Sequence, residues 1–313
     1  MNLSMRSFKL IIKFFFWALC VWVVLASLEW IFSKALMYNK DLKSSYVATT
    51  KINADVLIMG SCEALSAINP NIIEQSTAYT AYNLATNHSL PSELFALLHL
   101  YLQNNEAPKF ILIHLSEESF DSRYQTFNSF RFSHFNDLII QSVIKTKDPN
   151  YFNSFKFPFM KYALRNDLYL HKVKEGIMDE IFNSKPLYPN GYHYRPYKQF
   201  ISHQEITNKY GNPIVFNNDS LEMTYFSQLI DLCFEKNIYI IPYKFPIWSG
   251  MDKMLKNKSA THEIEALLEQ HNIELLNLDY CYEDSNLFYR PFRLKNFVCD
   301  SLVERYICPL LVE

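Results

Sequence analysis

The sequence predicts an α/β fold: a parallel sheet whose strands alternate with helices, interrupted by a helical insertion and preceded by one transmembrane helix. Three observations predict it. Short apolar runs such as Val56–Met59 and Lys109–Leu115 alternate with stretches of helical period, the pattern of strand–helix–strand units. Phe14–Leu28 carries no charge and, with Leu10–Ile12 and Trp30–Phe32, reaches the ~20 residues that cross a bilayer as a helix. Between Ser116 and Val215 the alternation stops, and the chain becomes aromatic-rich, broken by Pro and Asn, without clean periodicity.

The N-terminal helix comes first. Arg6, Lys9 and Lys13 all precede its apolar core, so the positive-inside rule leaves the N-terminus in the cytoplasm and the chain after Phe32 extracytoplasmic (periplasmic). Lys13 and Glu29 lie near its two ends, from which Lys13 snorkels back to the headgroups and Glu29 reaches the far interface beside Trp30. A cleaved signal peptide is the rival reading, but no Ala-x-Ala pattern closes the segment. Cys20 follows a poor lipobox and reads as an inert apolar thiol. Residues 1–32 are thus an anchor, 33–53 a short helix or linker, and 54–313 an α/β domain with an insertion at about 120–215.

Strand one is Asp55–Met59, and a helix with Ile68, Ile72 and Ile73 follows around Asn69-Pro70, where Pro suits a first helical turn. Strand two is Ala78–Leu84. An amphipathic helix starting at Ser89-Leu-Pro-Ser-Glu carries Leu94, Leu97, Leu98 and Leu102 to strand three, Lys109–Leu115. The insertion reads as helical from Phe135 to Phe182, then as irregular chain whose Pro, Gly and Asn mark turns. A helix from Ser220 to Lys236 leads to strand four, Ile238–Pro242. A helix from Ala260 to His271 leads to strand five, Ile273–Leu278, and a terminal helix ends at about Ile307.

The 313 residues carry a net charge of −2, which gives a nucleic-acid partner no electrostatic support. None of the six cysteines pair at zinc-like C-x-x-C spacing, and no metal or cofactor is expected. Cys233, Cys281, Cys299 and Cys308 lie in the exported part; they read as buried thiols more than as disulfides.

The chemistry, if any, centres on Gly60-Ser61-Cys62. A strand that turns sharply into a helix exposes one side chain and offers backbone N–H groups to an oxyanion. The side chain in that place is Cys62. This spelling, with the Asn-Pro helix, the Tyr82-Asn83-Leu84 run and the Leu-Pro helix–strand that follow, resembles the SGNH/GDSL hydrolases. The similarity is to the membrane-anchored DltD-like bacterial branch, over most of residues 54–310 apart from the insertion. The resemblance implies a three-layer αβα arrangement with a flavodoxin-like parallel sheet, and acyl transfer to cell-envelope polymers. It places the nucleophile at Cys62, where the family has Ser, and an oxyanion N–H at Ala85, where Gly is usual. The Asn expected after strand three is replaced by Ser116, Glu117 and Glu118. The family's Asp-x-x-His aligns with Arg290 and Arg293 in Phe288-Tyr-Arg-Pro-Phe-Arg-Leu-Lys295.

These departures have chemical meaning. A catalytic His shuttles a proton, which an always-charged guanidinium cannot do. Two readings of Cys62 therefore stand. In one it is the relic of a serine in a catalytically degenerate protein that binds or scaffolds during envelope polysaccharide modification, beside a multi-span membrane acyltransferase. In the other it is the thiolate nucleophile of an esterase or O-acyltransferase, with N–H groups near Cys62 and Ala85 as oxyanion hole and His88 as base. The first is favoured. His114 and His193 are weaker candidate bases. Arg290 and Arg293 form either an anion-binding pair or salt bridges, for instance with Glu63 or Glu117. Tyr188, Tyr192, Tyr194 and Tyr197 either stack on sugar rings or, as preferred here, pack the insertion.

Overall fold

A computed structural model describes residues 5–121, 123, 126–194, 214–248, 255–257, 259–279, 281–282, 284–290 and 293–312. The chain opens with the long helix α1 (Met5–Tyr38) and the short α2 (Lys43–Thr49). The alternation then runs β1 (Val56–Met59), α3 (Cys62–Ala67), α4 (Pro70–Ser76), β2 (Ala81–Asn83), α5 (Pro91–Asn104), β3 (Phe110–His114) and α6 (Glu117–Phe120). Four helices follow: α7 (Leu138–Lys147), α8 (Pro149–Phe152), α9 (Met160–Ala163) and α10 (Asn166–Phe182). After β4 (Ile214–Val215) the alternation resumes with α11 (Ser220–Glu235), β5 (Tyr239–Lys244), β6 (Leu255–Asn257), α12 (Ser259–Gln270) and β7 (Leu276–Asn277). The hairpin β8 (Phe288–Arg290) and β9 (Arg293–Leu294) and helix α13 (Asn296–Leu302) complete the order.

The chain divides into two compact units. One, Thr50–Phe127 with Pro186–Glu313, holds a five-stranded, all-parallel sheet in the order β2-β1-β3-β5-β7. Strands β1 and β3 are its centre, with Val56 opposite both Ala81 and Phe110. A central parallel strand is covered on both faces, so it reads as a continuous apolar run and not as an alternation; all four residues of β1 are fully buried. The core on one side of this sheet joins Val56, Ile58, Leu65 and Ile68 to Val298, Leu302 and Ile307 near the C-terminus.

Local chemistry sets the helix starts. Asn69 accepts the Asn71 N–H at the head of α4, with Pro70 in the first turn, and Asp219 does the same for Leu221 in α11. Helix α5 begins after Leu90, which has no capping side chain. Its first-turn Ser92 N–H instead donates 2.9 Å to Glu222 of α11, a cap that sequence spacing does not reveal. Strand two is shorter than expected, Ala81–Asn83. Strand four runs on past Pro242 to Lys244.

The other unit comprises Met1–Thr49 and Asn128–Lys185. Helix α1 is long and apolar enough to cross a membrane, and it continues unbroken to Tyr38. Its last turns join a helical core of Ala35, Leu36, Leu42, Phe130, Tyr162, Tyr169 and Val173. Gly176 permits the close approach of α10 to α1, since a Cβ there would lie 1.9 Å from the Ala35 carbonyl oxygen. Tyr151 donates 3.0 Å to the Lys161 carbonyl and shares a hydrogen bond with the Tyr169 hydroxyl, which also pairs with Ser133.

Candidate functional site

The C-terminal edge of a parallel sheet is where α/β proteins bind ligands, and in this strand order the crevice opens where β1 and β3 diverge. Gly60 stands there at φ +141°, a conformation only glycine adopts at low cost. A Cβ at Gly60 would lie 2.7 Å from the His114 Cβ. The bare glycine therefore lets the end of β1 close on the end of β3.

Ser61 precedes α3 but does not cap it; its hydroxyl donates to the Glu63 carboxylate. The Cys62 thiol, buried, also donates to Glu63, at 3.5 and 3.3 Å to the two oxygens. A carboxylate at that distance stabilises S–H and opposes a negative charge on sulfur. Glu63 is itself buried. It is thus an acceptor shared by the two side chains of the turn; the arginine side chains expected beside it lie outside the described residues.

Ala85 is fully buried, and its N–H donates 3.1 Å to Asn83 Oδ1. Expected in an oxyanion hole, this amide faces its own neighbour instead. The Asn83 amide in turn donates 2.9 Å to the carbonyls of both Ala64 and Ile68, fastening β2 to the end of α3. Asn83 is therefore a structural clasp, a role its place in a Tyr-Asn-Leu run gave no means of reading.

His88, expected as base, is exposed on a left-handed turn at φ 56°, whereas Cys62 is buried. The imidazole at the turn is His114, at the end of β3, buried and in ring contact with Tyr243 and Phe245 at 5.5 and 5.1 Å. His193 is tied elsewhere: its N–H donates 3.1 Å to the Leu65 carbonyl and its ring meets the Tyr188 hydroxyl at 2.8 Å. Tyr192 accepts 2.8 Å from Asn296 of α13; Tyr194 is exposed and Tyr197 lies outside the described residues. Arg290 and Arg293 face each other as backbone partners across the β8–β9 hairpin, and their side chains lie outside the described residues.

Glu117 is paired, but with Lys244. The ammonium lies 2.8 Å from its carboxylate, both side chains are largely buried, and Thr261 donates to the same oxygen. Burial pushes the Glu117 carboxyl up, but Lys244 and these hydrogen bonds outweigh it and hold the group below the ordinary carboxylate value. Glu63, His114, Glu117, Glu118, Lys244 and Asp279 line one narrow recess of about 20 Å³, room for about one water. Four carboxylates, those of Glu63, Glu117, Glu118 and Asp279, against one ammonium make this edge of the sheet unfavourable to an anion. Among the described residues no group of His, Cys, Asp and Glu is arranged to hold a metal ion. Sequence reasoning missed Lys244 and Asp279. Reading the alternation Tyr239, Ile241, Tyr243 through Pro242 would have placed Lys244 at the strand's C-terminal end.

No protein-family model matches the chain, and no curated protein matches it.

Proposed function

We propose that the chain is a single-pass, membrane-anchored SGNH-like protein whose catalytic site is degenerate. In this reading its sheet sits in a three-layer αβα arrangement in the extracytoplasmic space, with the N-terminus cytoplasmic. There it binds or scaffolds envelope polysaccharide or an acylated polymer beside a multi-span membrane acyltransferase. The observation that carries the reading is the Cys62 thiol donating to Glu63. Acyl transfer needs a thiolate, and the described neighbour is a carboxylate, a far weaker base than a thiolate and so one that accepts the thiol's hydrogen bond without taking its proton. The Ala85 N–H bound to Asn83 supports the same reading.

The test is complementation. In the native host, deleting the gene lowers ester-linked acyl groups on envelope polysaccharide, and Cys62→Ala restores them as fully as wild type. Restoration by wild type but not by Cys62→Ala would establish the thiol-dependent esterase or O-acyltransferase instead.

A further inference from the structure

In the unit that contains α1, one short segment stands out. Phe157, Met160 and Leu164 are all exposed, within eight residues of chain, beside exposed Lys156. The segment is bound to one level of α1. The Phe159 N–H donates 3.0 Å to Glu29, the Lys161 ammonium lies 2.8 Å from the same carboxylate, Tyr162 shares a 2.6 Å hydrogen bond with Ser33, and the Phe159 ring sits edge-on to Phe32 at 4.9 Å. Glu29, expected to reach the headgroups beside Trp30, is thus held by protein.

That level is where α1 changes solvent. Its apolar side chains are exposed as far as Trp30 and Ile31, whereas Ala35 and Leu36 are buried in the helical core. Phe159 holds φ +65° at the head of α9, a strained conformation for a bulky side chain. It turns the chain so that the Phe159 amide and ring meet α1. The result is a set of large apolar side chains at the height where a membrane-spanning α1 leaves the bilayer.

We propose that Phe157, Met160 and Leu164 form a second membrane contact, an interfacial anchor that inserts into the boundary between lipid headgroups and acyl chains next to α1. This rests on the reading that α1 spans the bilayer. The occupant is lipid: the patch continues the exposed apolar surface of α1, and Lys156 at its edge suits headgroup phosphate. The anchor works with Lys161–Glu29, which lies over the Phe155 ring at 4.8 Å, to fix the tilt of the helical unit on the membrane surface.

The test uses the full chain in polymer-bounded lipid nanodiscs, free of scaffold protein and containing acyl-chain-brominated lipid, with Phe157→Trp, Leu164→Trp and Ile181→Trp as three separate variants. Ile181 is as exposed as Phe157 (65% against 64%). It lies two residues beyond Asp179, which accepts the Lys40 N–H, and so roughly 16 Å further along α1 than Glu29 by helical rise. After subtraction of the parent signal, the tryptophans at 157 and 164 are quenched at least about twofold more than that at 181, as insertion some 5–10 Å deep requires. Quenching of the native Trp17, Trp22 and Trp30 with no excess at 157 and 164 overturns the anchor and leaves the spanning helix intact. No quenching of the native tryptophans overturns both. Because the discs hold no other protein, an excess at 157 and 164 identifies lipid and not a membrane-protein partner.

Discussion

Replacing Gly60 by Ala tests how the sheet edge is built. Two costs arise. The backbone at φ +141° is strained for any residue with a Cβ, about 1–3 kcal/mol. The new methyl would lie 2.7 Å from the His114 Cβ and 3.1 Å from the Ala64 Cβ, an overpacking worth about another 1–3 kcal/mol. The sum, roughly 2–6 kcal/mol, is a large part of a typical domain's stability, and at about 2–4 °C per kcal/mol it lowers the melting temperature by roughly 5–20 °C. The assay is a thermal melt of the full chain in detergent, followed by near-ultraviolet circular dichroism. A second substitution separates the two costs. His114→Gly removes the nearer Cβ that the new methyl meets and recovers the larger share of the overpacking, leaving the 3.1 Å contact with Ala64; His114→Ala keeps the His114 Cβ and recovers none of that share. If Gly60→Ala melts within about 0.5 kcal/mol of wild type, or if His114→Ala rescues as well as His114→Gly, the close approach of β1 and β3 at this turn is not what demands glycine.

Two further outcomes follow from buried charge. Lys244→Met leaves the Glu117 carboxylate buried without its ammonium and costs about 3–5 kcal/mol, most of which the added change Glu117→Leu restores. Because Glu117 titrates below its ordinary 4.5 when folded, its contribution is fully present above about pH 4.5 and is lost as pH falls through the lower folded value. The urea midpoint of wild type therefore declines more steeply below pH 4.5 than that of Glu117→Gln. In the helical unit, burial, helped by the nearby Lys161 charge, lowers the His134 imidazole to about 3, and its Nε2 lies 2.8 Å from the Ser45 hydroxyl. The ring stays neutral when folded and takes a proton when unfolded. Stability is complete above the ordinary value of 6.5 and falls toward pH 3 by about 1.4 kcal/mol per unit. Hydrogen exchange of α7–α10 amides measured between pH 5 and 7, corrected for intrinsic rates, shows this slope in wild type and loses it in His134→Gln.

How much of this was legible in the sequence depends on the range of the interaction. Val56–Met59 and Phe110–His114 were readable because a doubly covered strand must be apolar throughout, a property of the residues themselves. Pro70 and Asn69 marked a helix start for equally local reasons. The uncharged run of α1 announced a membrane-length helix. The pairings at the sheet edge were not readable. Glu117 and Lys244 stand 127 residues apart in the chain, and only the register that sets His114 opposite Tyr243 brings them together. Pro242 masked the end of β5, because a proline in a strand ordinarily argues for a boundary. Glu63 was visible beside Cys62, but spacing along a chain does not say that a side chain folds back on its neighbours. Nor did it show that the Ala85 amide is turned toward Asn83.

The central claim is that Cys62 is held as a thiol by Glu63 and does not accept acyl groups. The most direct measurement is intact-protein mass spectrometry after incubating the full chain with p-nitrophenyl acetate at neutral pH, with peptide mapping of any adduct. The account predicts no acetyl adduct at Cys62 beyond the level on the other cysteines, and an increase in Glu63→Gln, where the opposing charge is gone. A stoichiometric acetyl group on Cys62 of the wild-type chain, absent in Cys62→Ala, would contradict it.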